Sequence, residues 1–133
     1  MPKVIFDTNV IVSALVFGGK VSKALDLVYD GSVKLVLCKE LEDEVLRILV
    51  SKFNVKINDL HLAQKLLSIG DYHTLDKPYP KVSRDAQDNY LLSLIEISQA
   101  DVLVTGDKDL LVLNSYKECP IMKVSEFLER MGV

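Results

Sequence analysis

Residues 4–9 read Val4-Ile5-Phe6-Asp7-Thr8-Asn9, three apolar side chains followed at once by a carboxylate, a hydroxyl and an amide. The apolar triplet has the composition of a short strand buried on both faces, as in parallel sheets. Folding gains nothing from ending such a strand on an acid that must stay charged. The position of Asp7 therefore points to a ligand site, and its partners are to be sought in the rest of the chain.

Outward from that strand, apolar runs of strand length alternate with helical patterns. A helix is predicted from Val10 to Phe17, broken by Gly18-Gly19, and a second from Ser22 to Asp30, with Ala24, Leu25 and Val28 on one face and Gly31 as its stop. Lys34–Cys38 reads as a strand. Glu40–Phe53 is strongly helical, with Leu41, Val45, Ile48 and Leu49 at helical spacing. Asn58 is placed to cap a helix running to Ile69. The stretch 71–84, with Pro78 and Pro80, reads mainly as loop, with room for a short strand at Val82. Ala86–Ser98 is a helix, Val102–Val104 a strand and Leu110–Leu113 a short helix. Ile121–Val124 is a last strand, and Ser125 is placed to cap a final helix that turns Phe127 and Leu128 inward. Strands alternating with helices imply βαβ units and a parallel sheet covered on both faces. The expected architecture is a three-layer α/β/α sandwich with a short central parallel sheet, formed by one domain over residues 1–133.

Composition agrees. Apolar residues make up 49% and charged residues 26% of 133, a globular balance. No apolar run approaches the ~20 residues that span a bilayer. Met1-Pro2-Lys3 leads straight into the first strand without a signal-peptide core, so a cytoplasmic location is expected. Cys38 and Cys119 each sit among apolar residues and read as small core side chains in a reducing compartment. His61 and His73 are too few and too far apart to make a His-based zinc site. The net charge of −3 argues at first against a nucleic-acid partner. With five of the 19 acids taken up by a metal site, however, the 16 bases outnumber the rest.

In open α/β sheets ligands bind beyond the carboxyl ends of the strands. Asp7 follows the first strand and Asp107 follows Val102–Val104, so both fall at one edge. Each alone is explained as a turn or cap residue; two at matching strand ends favour a site. Asp85 is well placed as a helix N-cap with accessory contact to the site. Asp88, in register with Leu91, Leu92 and Ile95, heads a buried stripe where an acid meets either the rim or a cation. Of Glu40, Glu42, Asp43 and Glu44, periodicity does not select one. Carboxylates gathered without His or Cys suit Mg²⁺ or Mn²⁺, and a cation so held activates water and stabilises charge on a phosphodiester.

The pieces VIFDTNVIVSAL (4–15), ELEDEVLRIL (40–49), RDAQDNYLLSLI (84–95), ADVLVTGDKDLL (100–111) and Val124-Ser125-Glu126-Phe127-Leu128 together resemble the PIN domains, and especially the VapC-like toxins among them. Asp-Thr-Asn alone is a weak signal; paired with Thr-Gly-Asp-Lys-Asp-Leu-Leu about a hundred residues later it is a strong one. The resemblance implies a Mg²⁺- or Mn²⁺-dependent ribonuclease. By position it makes Asp7, Glu44, Asp88 and Asp107 the catalytic and metal-binding acids, with Asp85 an additional ligand. Thr8, Asn9, Thr105 and Asp109 become residues that orient ligands or water. It further implies an RNA substrate, a small antitoxin and a homodimer, with Val10–Phe17 and 58–69 as places for such contacts. Phosphate contacts are to be sought among Lys20, Lys23, Arg47, Lys52, Lys81 and Arg84. A haloacid-dehalogenase-like phosphatase would need a second Asp where Asn9 stands. A non-catalytic binding module, its acids serving only as caps, is the other alternative.

Overall fold

A computed structural model describes residues 1–56 and 60–133, with only the backbone of Gln87. Its frame is a six-stranded sheet in the order β3-β2-β1-β4-β6-β5. The strands are β1 (Lys3–Phe6), β2 (Lys34–Leu37), β3 (Asp71–Tyr72), β4 (Val102–Val104), β5 (Ser115–Tyr116) and β6 (Cys119–Met122). Helices α1 (Thr8–Val16), α2 (Gly19–Tyr29), α3 (Lys39–Ser51), α4 (His61–Ser68), α5 (Asn89–Ser98), α6 (Lys108–Leu111) and α7 (Val124–Arg130) flank it. β1 pairs in parallel with β2 on one side and β4 on the other. The chain thus winds outward from β1 through β2 to β3, then returns to build the other half from β4. The strand order reverses between β1 and β4, where such sheets open a crevice at their carboxyl ends.

Burial explains the pattern. Val4, Ile5 and Phe6 are fully enclosed, as are Leu35, Val36, Leu37, Leu103 and Val104, so the central strands lie covered on both faces. A fully buried aliphatic or aromatic side chain contributes about 1.5–3 kcal/mol, which is why these unalternating runs belong at the middle of the sheet. The stripe Leu41, Val45, Ile48 and Leu49 seats α3, Leu91, Leu92 and Ile95 are all buried in α5, and Phe127 packs edge-on against Phe6 with ring centroids 5.7 Å apart. Cys38 and Cys119 are free and buried, and burial pushes both thiols up to about 11.

Several local expectations are corrected. Residues 71–84 are not all loop: Asp71–Tyr72 forms β3, parallel to β2, because the register Val36↔Asp71 and Leu37↔Tyr72 supplies hydrogen bonds that two polar residues do not advertise. The sheet is not wholly parallel, since β5 and β6 form an antiparallel hairpin. Its turn residues Lys117 and Glu118 both have positive φ, 49° and 66°, a conformation normally signalled by Asn-Gly or Asp-Gly. The last strand lies at Cys119–Met122 rather than 121–124, so α7 starts at Val124 and Lys123, not Ser125, is its N-cap residue. The segment 86–98 opens as a 3₁₀ turn over Ala86–Asp88 and becomes α-helical at Asn89, which puts Asp88 instead of Asp85 at the N-cap position. Asn58, expected to cap α4, lies outside the described residues.

Candidate metal centre

The register Phe6↔Val104 makes Asp7 and Thr105 leave their strands side by side. The Asp7 amide donates to the Val104 carbonyl at 3.1 Å, and Thr105 donates its own amide to the Met122 carbonyl at 2.9 Å. Thr105 is fully buried, and its hydroxyl does two things at once. It donates to Asp7 Oδ2 and accepts the Asp107 amide at 3.0 Å. The acids that follow β1 and β4 are therefore joined through one threonine.

Asp7 also caps α1, its Oδ1 accepting the Val10 amide at 2.9 Å. Asp107 caps α6 in the same way, its Oδ1 accepting the Asp109 amide at 2.8 Å. The capping and site readings of these two acids are both satisfied, because each carboxylate oxygen has a further lone pair to offer. Burial raises the Asp7 carboxyl above its ordinary range against the lowering effect of Thr105 and Val10, and the negative charge of Asp107 adds to the rise.

Asp107 stands with Asp85 and Asp88, and one carboxylate oxygen from each lies within 4.8 Å of the others. This is the one such acid group among the described residues. Asp88 is pushed up to about 8, first by burial, then by the Asp107 carboxyl against it and by the charges of Asp85 and Asp7. Its Oδ2 is the single buried side-chain oxygen among the described residues without a hydrogen-bond partner. An enclosed oxygen with no donor, on a carboxyl that three neighbouring acids hold back from ionising, is an arrangement that a cation relieves. The donors are all hard oxygens, which fits a divalent ion of the Mg²⁺ or Mn²⁺ kind.

Other candidates fall at varying distance from this group. Glu40 is engaged by the Tyr79 hydroxyl at 2.8 Å, and Glu42 neighbours the Tyr72 phenol, which is pushed up to about 12 by burial and that charge. Glu44 is half-buried and lies within electrostatic reach of Tyr90, whose hydroxyl meets Thr8 Oγ1 at 3.4 Å and which also feels Asp7. Thr8 thus acts on Tyr90. Asn9 is exposed and lines a cavity with Thr105 and Gly106. Asp109 holds Asp107 through its backbone amide, while its side chain lines a neighbouring cleft. Sequence reasoning missed Asn89 and Tyr90. Asn89 is buried and its Oδ1 accepts the Ser83 amide at 2.9 Å, tying the segment before Asp85 to α5. Their signal was a polar pair sitting inside the apolar run of α5.

A doubly wound α/β sheet with aspartates gathered at its switch point defines the class of metal-dependent hydrolases that use carboxylate-held cations. The chain belongs to the PIN-domain family: the sequence profile of that domain matches residues 3–109. The family is one of metal-dependent nucleases that bind divalent ions through acidic residues. The fold is similar to that of the crystal structure of PAE2754 from Pyrobaculum aerophilum, with 16% identity over 98% of this chain and 90% of that one and a TM-score of 0.63. At that identity the likeness is one of fold. Curated proteins give no match to this sequence.

Proposed function

We propose that the protein is a Mg²⁺- or Mn²⁺-dependent endoribonuclease, acting in the cytoplasm as the toxin of a toxin–antitoxin pair. The observation that carries the catalytic part is the orphaned Asp88 Oδ2 within a group of three aspartates beside Asp7. Asp85, Asp88 and Asp107 would hold the cation, with Asp7, and with Glu44 approaching from α3. Bound there, the ion supplies an activated water and charge stabilisation for an in-line attack on a phosphodiester. The chain's own groups do the positioning. Thr105 fixes Asp7 and the Asp107 backbone in one geometry, and the Val10 and Asp109 amides take the lone pairs that would otherwise let the two carboxylates swing.

The partner reading rests on exposed apolar surface. Phe17 is 70% exposed and stacks edge-on against Phe53, with Val16 and Val50 nearby in sequence and also exposed; on α4, Leu62 is exposed as well. These faces suit an antitoxin or a second copy of the chain. No helix among the described residues is long and apolar enough to cross a membrane.

The test is RNA cleavage with Mg²⁺ or Mn²⁺, with and without EDTA, by the wild type and Asp7→Asn. Activity should need the ion and fall by orders of magnitude in the variant. Equal cleavage by both proteins would refute the assignment.

A further inference from the structure

Beside the aspartates, a cleft of about 540 Å³ is lined by Arg84, Lys108, Asp109, Leu111, Val112 and Lys123. Two of its three cations are chain neighbours of the acids, Arg84 preceding Asp85 and Lys108 following Asp107. The third, Lys123, ends β6 and also lines the adjoining cavity of about 330 Å³ that contains Asn9, Thr105 and Gly106. Among the described residues the ion pairs are His73–Asp71, Lys117–Glu96 and Arg130–Glu126, so none of the three cleft cations is neutralised by one. Asp109 is the only acid in the lining.

A solitary exposed lysine needs no explanation. Three unpaired cations around one cleft do, because each repels the others until an anion arrives. A phosphodiester approaching Asp85, Asp88 and Asp107 meets strong repulsion, and only charges within the roughly 8 Å screening length of physiological salt can offset it. Consecutive Cα atoms are about 3.8 Å apart, so Arg84 and Lys108 satisfy that condition by their place in the chain. Of the bases that sequence alone offered for phosphate contact, only Arg84 reaches this cleft; Lys20, Lys23, Arg47, Lys52 and Lys81 do not line it.

We propose that this cleft is a phosphodiester subsite, in which Arg84, Lys108 and Lys123 hold backbone phosphates of a nucleic acid next to the bond presented to the aspartates. The assignment rests on the nuclease reading above and adds the residues that seat its substrate. Lys123 stands at the junction of the two cavities, so the strand passes it on leaving the cationic cleft.

The experiment is fluorescence anisotropy in EDTA, where nothing is cleaved, with a short labelled single-stranded RNA and a DNA of the same sequence. Arg84→Ala, Lys108→Ala and Lys123→Ala are compared with wild type and with Lys34→Ala, which lies at the opposite edge of the sheet at the start of β2; circular dichroism verifies that each is folded. Each cleft variant should bind several-fold more weakly and lower the slope of log affinity against log salt by roughly 0.7 for both probes. Lys34→Ala should match wild type. Unchanged affinity and slope in the cleft variants, an equal loss in Lys34→Ala, or a loss confined to one of the two probes would overturn the subsite. Binding that depends on the cleft in a protein that shows no cleavage with Mg²⁺ or Mn²⁺ would sink the nuclease reading and leave the subsite standing.

Discussion

Thr105→Val keeps the shape of a fully buried side chain and deletes the hydroxyl that joins the two halves of the site. A hydrogen bond to a charged group is worth about 1.5–3 kcal/mol and one between neutral groups about 0.5–1.5. Water cannot reach this position to replace either bond. Losing the bond to Asp7 and the acceptor for the Asp107 amide should therefore cost about 2–4 kcal/mol. Thr105→Ser is the control. It retains the hydroxyl and loses one methyl, worth about 1 kcal/mol. Urea unfolding followed by circular dichroism in EDTA at neutral pH measures both, with unchanged m-values licensing the comparison. The valine variant should be the less stable of the two and should also bind divalent ions some 10–100-fold more weakly, as misplaced supporting groups do. A valine variant as stable as wild type, or more stable than the serine variant, would refute the bridging role.

Three further outcomes follow from the same geometry. Asp88→Asn removes a carboxyl crowded by like charges, so it should raise the melting temperature in EDTA while abolishing the further rise that Mg²⁺ or Mn²⁺ gives the wild type; differential scanning fluorimetry reads both. In the metal-free wild type, Asp88 titrates near 8 when folded against an ordinary 3.8, so the native state binds the extra proton. Its stabilising contribution is full at low pH and is lost as pH rises through about 8, and the ion-induced rise in melting temperature should accordingly be larger at pH 8 than at pH 5.5. Finally, a Cβ on Gly70 would lie 2.1 Å from Leu37 Cδ1, and Leu37 is fully buried. Gly70→Ala should cost about 1–3 kcal/mol of overpacking, seen in the same urea titration.

The centre of the fold was legible because burial on both faces writes itself into sequence. Val4-Ile5-Phe6 and Val102-Leu103-Val104 carry no alternation, and each is followed by an acid at or near its carboxyl end. The margins were not legible. β3 is two polar residues that become a strand only because β2 offers them hydrogen bonds. The β5–β6 hairpin turns on Lys117 and Glu118, whose positive φ values no glycine announced. The same division holds at the site. Asp7, Asp88 and Asp107 were found from strand ends and helix periodicity, whereas the bridging role of Thr105 depends on the register of two strands about a hundred residues apart. Asp85 read as a cap; the 3₁₀ turn instead brings it within 4.8 Å of Asp88 and Asp107. Lys108 and Lys123 look like any exposed lysine until the chain folds and places them around one cleft.

The most direct test of the acidic centre is a Mn²⁺ titration followed by the electron paramagnetic resonance of the free ion, on wild type, Asp88→Asn and Asp107→Asn. The wild type should remove Mn²⁺ from solution at a saturable site, and both variants should leave the signal of the free ion nearly undiminished. Saturable binding of equal strength in all three proteins would contradict the claim that these aspartates hold the cation.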